Sequence, residues 1–122
     1  MDELTLNYES TIIKIVTENW RLTKLFQKVT TKLDLSEQNR YINQLRYFEK
    51  TINNCLQDVG MKIIHIEGQV YDSGMAVSPI NIDEFEQEDQ LIIDQVLEPL
   101  IMGNDGTIKK QGLVNLKTKD KK

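Results

Sequence analysis

The sequence predicts an α+β protein: an N-terminal helical hairpin followed by a small, mostly antiparallel β-domain. Three observations carry this expectation. Apolar residues recur with helical spacing from Leu4 to Leu33, and again from Tyr41 to Val59. Beyond Gly60 the period falls to two, and β-branched runs alternate with turn residues. Five further glycines, from Gly68 to Gly112, punctuate those runs.

The first helix is read over residues 4–33. Tyr8, Ile15, Leu22 and Val29 recur every seven residues, and Ile12, Asn19, Phe26 and Leu33 form a second line beside them. Two such lines make the seam of paired helices. Ile13, Val16, Trp20 and Leu25 widen the stripe beyond a two-stranded seam, which suits a helical bundle. The stripe is wider than one hairpin partner can cover. A homodimer through Tyr8, Ile12, Ile15, Asn19, Leu22, Phe26 and Val29 is therefore expected. Asn19 is either a polar residue that sets register within the seam or a solvated edge residue. Trp20 is expected in the bundle core, although an aromatic residue is also a frequent interface anchor.

Asp34-Leu35-Ser36 interrupts the pattern, and either Asp34 or Ser36 can cap the next helix. That second helix is expected over residues 37–59. Its lines are Tyr41, Phe48, Cys55 and Leu45, Ile52, Val59, with Ile42 and Leu56 alongside. On this stripe Cys55 is expected to be buried as a small hydrophobe. Gly60 stands where a left-handed residue ends a helix. The short linker implies an antiparallel pair.

Four strands are expected next. The first runs from Met61 to Glu67 and can continue past Gly68 through Gln69-Val70-Tyr71. Asp72-Ser73-Gly74 is a turn. The second strand spans Met75 to Ile82, with Pro79 confining it to an edge. The stretch from Asp83 to Gln90 is an acidic loop or a single helical turn. The third strand spans Leu91 to Leu97, and Pro99 limits its pairing before Leu100-Ile101-Met102. Asn104-Asp105-Gly106 is a hairpin turn, and Thr107 to Leu116 is the last strand, interrupted at Gly112. The organisation is thus a helical dimerisation region (1–59), a β-domain (60–116) and a disordered basic tail (117–122).

Composition narrows the function classes. The net charge of −4 does not favour nucleic acid as a partner. Asp83 to Glu98 holds seven carboxylates and no base, whereas Lys109 to Lys122 holds six lysines and one aspartate. No apolar run approaches the roughly 20 residues that cross a bilayer, so no membrane is expected. The acidic start of the chain lacks the pattern of a secretory leader, and a single cysteine agrees with a reducing compartment. A cytoplasmic protein is expected.

No catalytic pattern stands out, and the chain is read as a non-enzyme without metal or cofactor. His65 is the one histidine and has no accompanying ligand pattern, so it reads as a surface or edge residue. The belt from Asp83 to Asp89 lacks the central glycine of a calcium loop. It is either a solvated loop or an acidic patch for a basic partner. Gly103-Asn104-Asp105-Gly106 lacks the Lys and Ser/Thr that complete a phosphate loop.

Amphipathic helix, Gly60-Met61, short β-run, Gly68, the turn Tyr71-Asp72-Ser73-Gly74, hairpin and Gly112-Leu113-Val114-Asn115-Leu116 follow one another over residues 41–116. This order resembles the C-terminal half of GrpE, the nucleotide exchange factor of DnaK-type chaperones. Met75-Ala76-Val77 stands where that family has His-Glu-Ala. The resemblance implies a co-chaperone that binds the chaperone's nucleotide-binding domain and promotes ADP release. Under it, Tyr71, Met75, Val77, Leu100 and Met102 are the expected partner contacts, with Asp72 orienting the turn. The alternative is a non-enzymatic dimeric structural or regulatory protein.

Overall fold

A computed structural model describes residues 3–119. It divides into a helical unit, Met1–Gly60, and a β-unit, Met61–Lys122. The α+β class and the order of helices before sheets are as the sequence predicts. Gly60 falls with the helices, one residue beyond the expected boundary.

The helical unit contains α1 (Glu3–Thr30) and α2 (Leu35–Asp58). Asp34 caps α2: its Oδ1 accepts a hydrogen bond from the Glu37 amide at 2.9 Å. This satisfies one of the free donors of the first turn. Gln38 Nε2 donates to the Thr30 carbonyl at 3.0 Å and ties the start of α2 to the end of α1. Phe26 meets Tyr41 edge to face, with ring centroids 6.3 Å apart. Gly60 ends the helix with φ 79°, a value that an L side chain rarely adopts.

On α1 the covered line differs from the Tyr8–Val29 seam, whereas on α2 it keeps the expected Ile42, Leu45, Ile52 and Leu56. On α1 the buried and half-buried line is Ile13, Val16, Trp20, Thr23, Gln27 and Thr30. On α2 it is Ile42, Leu45, Glu49, Ile52 and Leu56. Both lines advance in steps of three and four residues, the spacing of one helix face. Thr17 and Thr30 are buried without penalty, because their hydroxyls donate to the Ile13 and Gln27 carbonyls, each at 2.7 Å. Cys55, expected to be buried, is exposed. It precedes Leu56 on the helical wheel by one step of about 100°, and that step takes it off the covered face. Trp20 is half-buried rather than a full core residue, and Lys24 Nζ lies 4.5 Å from its ring centroid.

Among the described residues the β-unit has six strands: β1 (Met61–Ile64), β2 (Val77–Pro79), β3 (Leu91–Glu98), β4 (Leu100–Gly103), β5 (Ile108–Lys110) and β6 (Gly112–Thr118). They form two three-stranded sheets, in the orders β1-β4-β5 and β2-β6-β3. All pairings are antiparallel except β2 with β6. The expected last strand is in fact two strands, β5 and β6, and these belong to different sheets. The same holds for β3 and β4, which Pro99 separates. Together the four strands make one long hairpin that bends at Pro99 on one arm and at Gln111 on the other.

Proline supplies no amide for the ladder, and Pro99 is fully buried at the bend. Beside it Lys110 Nζ and Glu98 Oε1 pair at 2.7 Å, their side chains only 21% and 19% exposed. The core follows from this arrangement. Val114 and Leu116 of β6, Ile93 and Val96 of β3 and Val77 of β2 are buried in the second sheet. Met61, Leu100 and Ile101 are buried in the first.

Two edges depart from expectation. β1 stops at Ile64, and Gly68, at φ 83°, turns the chain toward the other sheet. There the Gly68 amide donates to the Ile93 carbonyl at 2.8 Å, and Val70 bridges Ile92. Gln69–Tyr71 therefore does not prolong β1. β2 covers only three of the residues expected for it, and Pro79 does lie in an edge strand. After it, the Asn81 side chain replaces a strand residue. Its amide donates to the Leu116 carbonyl and accepts from the Leu116 amide, both at 2.9 Å.

The basic tail also begins later than expected. β6 continues to Thr118, with Lys117 opposite Ile92 and Thr118 opposite Leu91. The Lys119 amide donates to the Gln90 carbonyl at 2.8 Å. Lys117 and Thr118 are strand because β3 offers them a complete partner. Positions 120–122 lie outside the described residues. A chain ending at Leu116 is thus expected to lose about 1–2 kcal/mol of stability, read as a lower urea midpoint. A chain ending at Lys119 should keep the full midpoint.

Candidate interaction surfaces

The Tyr71–Gly74 turn is held by its own aspartate. Asp72 Oδ1 accepts from the Gly74 amide at 2.7 Å, and the Met75 amide donates to the Asp72 carbonyl at 3.1 Å. A carboxylate that mimics the backbone in this way is why aspartate opens such turns. The Tyr71 amide donates to the Leu91 carbonyl at 2.8 Å, which anchors the turn to β3. Tyr71 and Met75 are half-buried and Asp72 is exposed, so all three are within reach of a partner.

The other expected contacts divide. Val77 and Leu100 are only 8% and 5% exposed and belong to the core. Both flank Gly112: a Cβ built there would lie 3.4 Å from Leu100 Cβ and from Val77 Cγ1. They close the space around that glycine, and neither is available to a partner. Met102 is half-buried on β4, in the first sheet, whereas Tyr71 and Asp72 lie at the margin of the second. The six residues therefore do not form one patch.

The helical unit carries a second surface. Tyr8, Ile15, Leu22 and Val29 are 61%, 56%, 63% and 49% exposed. Leu4 and Leu25 are exposed beside them, while Ile12, Asn19, Phe26 and Leu33 are half-covered. α1 thus bears an apolar line that its hairpin partner leaves open, next to the line that α2 covers.

A third feature gives an apolar wall to the acidic belt, which the sequence offered either as a solvated loop or as an acidic patch for a basic partner. The acidic connection folds back as one 3₁₀ turn, Ile82–Glu84, followed by a second turn in which Asp89 Oδ2 accepts from the Glu86 amide at 3.0 Å. Between this connection and the Tyr71–Asp72 turn lies a groove of about 410 Å³. Val70, Tyr71, Ile82 and Phe85 supply its apolar surface, and Asp72, Glu86 and Asp89 its carboxylates. The sequence signal was present in Ile82 and Phe85, two large apolar residues within an otherwise acidic stretch.

His65 is exposed just beyond β1. Among the described residues, no group of three or more His, Cys, Asp or Glu is placed to hold a metal ion, and no helix is long and apolar enough to cross a membrane. Comparison with protein-family models, curated proteins and solved structures gives no match.

The hairpin tip, next to Met102, holds a carboxylate whose acidity the turn itself sets. Asp105 sits below its ordinary value of 3.8, first because the Thr107 hydroxyl donates to it at 2.7 Å, then because the Thr107 amide does so at 3.1 Å. A lowered folded value means that the turn is favoured above the unfolded pKa, and that this gain fades as pH falls through the folded value. Thr107→Val should therefore raise the Asp105 pKa toward the ordinary carboxylate value. Carboxyl-carbon NMR titration of the two proteins measures the shift directly.

Proposed function

We propose that this chain is a dimeric, non-enzymatic adaptor of GrpE-like type, acting in the cytoplasm. Its β-unit binds the nucleotide-binding domain of a DnaK-type chaperone and promotes ADP release. The observation that carries this reading is the stretch from Gly68 to Gly74. Gly68 turns the chain out of the first sheet, the Tyr71 amide fastens it to β3, and Asp72 holds the turn that presents Tyr71. These are among the residues on which the family resemblance rests, with Gly60-Met61, the hairpin and Gly112–Leu116. They form a rigid aromatic and polar projection, the kind of surface that anchors protein interfaces.

The mechanism needs no covalent chemistry. A surface that binds the open form of a nucleotide cleft more tightly than the closed form raises the open population, and nucleotide leaves faster. Tyr71, Asp72 and Met75 are the contact residues in this reading.

The uncovered line on α1 favours a second reading, in which dimerisation itself is the function and the β-unit serves a structural or regulatory partner. Spaced at seven residues, Tyr8, Ile15, Leu22 and Val29 match the seam of a helix pair. Isolated apolar residues on a surface are ordinary, but an aligned row is the mark of an interface.

Two measurements separate the readings. The release rate of labelled ADP from a DnaK-type ATPase should rise on adding this protein. Tyr71→Ala should weaken the effect about tenfold, with little change in melting temperature. No acceleration by the unaltered protein leaves the structural-dimer reading. Sedimentation addresses assembly: a dimer is expected, and Leu22→Asp should yield a folded monomer, because the new carboxylate would otherwise be buried in the seam. A monomeric unaltered protein removes dimerisation from both readings.

A further inference from the structure

The geometry points to the groove between the Tyr71–Asp72 turn and the acidic connection as a binding site for an extended segment of a partner protein in which basic and apolar side chains alternate. This goes beyond the exchange-factor reading and needs no chaperone, although it shares Tyr71 and Asp72 with it.

Three features select this occupant. The first is apolar area held open to solvent. Val70 and Ile82 are 52% and 40% exposed, and with Phe85 and Tyr71 they line the groove. The second is charge. Asp72, Glu86 and Asp89 line the groove with no lysine or arginine among its residues, and Asp83, Glu84 and Glu88 are exposed nearby. A row of carboxylates around an apolar surface is complementary to lysine or arginine beside aliphatic side chains. The third is backbone. The Tyr71 amide donates to Leu91 and the Gln69 carbonyl accepts from Ile93. By the alternation of an antiparallel ladder, the Val70 N–H and C=O then face away from β3. An extended chain can take up such a pair by adding along the edge.

The chain's own basic end is the competing occupant, since Lys119 leaves β6 bonded to Gln90 at the margin of the groove. Lys119-Asp120-Lys121-Lys122 offers charge but no apolar side chain for Val70, Ile82 and Phe85. A segment that alternates both satisfies the groove where this one does not.

The test uses fluorescence anisotropy of short labelled peptides with the full chain. A peptide of alternating Lys and Val should bind. Peptides alternating Lys with Ser, or Glu with Val, should each bind at least tenfold more weakly. Glu86→Lys and Ile82→Ser alter exposed side chains, and each should weaken the Lys/Val peptide about five- to tenfold; thermal melts of both variants check that they stay folded. Ending the chain at Lys119 should leave affinity unchanged. Equal binding of the Lys/Ser peptide would reduce the site to bulk charge and overturn the proposal. So would equal binding of the Glu/Val peptide, or no binding of the Lys/Val peptide. A tenfold gain on shortening the chain would assign the groove to its own tail, and that also overturns it. None of these results bears on ADP release, so the two ideas fail separately.

Discussion

The bend in the β3–β4/β5–β6 hairpin is the constraint on which the β-unit depends. One pair of arms supplies the central or adjoining strands of both sheets. If the hairpin were straight, β4 and β5 would simply extend the β3–β6 ladder and Met61 to Ile64 would have no separate sheet to join. Pro99 removes an amide at the crossing, and the register slips on either side of it, between Val96 and Glu98 and between Ile101 and Met102. The Glu98–Lys110 pair occupies the same place. With both side chains about one-fifth exposed, each charge keeps some contact with water, and their 2.7 Å bond satisfies most of the remainder. Gly112 lets Val77 and Leu100 approach across the bend.

The helical unit shows how one helix carries two lines of the same period with different roles. Both lines on α1 advance at helical spacing, and periodicity alone does not tell which of them a neighbour covers. The more apolar line, through Tyr8, Ile15, Leu22 and Val29, is the one expected to form the seam of a dimer. The hairpin instead covers the line through Val16, Thr23 and Thr30. Threonine is weakly apolar by composition, but a hydroxyl returned to its own helix leaves a methyl group as the packing surface. On α2 the covered line passes through Glu49, which no hydrophobicity pattern would nominate. Cys55 was misplaced for the same reason, a shift of one residue on the wheel.

In the β-unit, what was legible is what local chemistry decides. Positive-φ turns at Gly60 and Gly106, the Asp72 turn and the edge role of Pro79 all follow from residues acting on their own backbone. What was not legible depends on long-range pairing. No local signal says that Gln111 marks a change of sheet, or that Lys117 and Thr118 find partners in Ile92 and Leu91. Val77 and Leu100 resemble surface apolar residues until Gly112 is placed between them. The groove is of this kind too: its two walls are about ten residues apart in sequence, and only the return of the chain onto β3 sets them face to face.

That return determines what the surface around Tyr71 can do. The segment from Gly68 to Tyr71 carries no strand of its own beyond the Val70–Ile92 bridge. Its position is inherited from β3, through bonds from Gly68, Ile93 and Tyr71, each between 2.8 and 3.0 Å. β3 in turn is held by β6 along its whole length. Tyr71 is therefore presented by the rigid hairpin rather than by a free loop, even though it is irregular in secondary structure. A partner that must distinguish two of its own conformations benefits from such a surface. A mobile loop would adapt to both forms and blunt the difference in affinity, whereas a pre-organised one carries the difference in full.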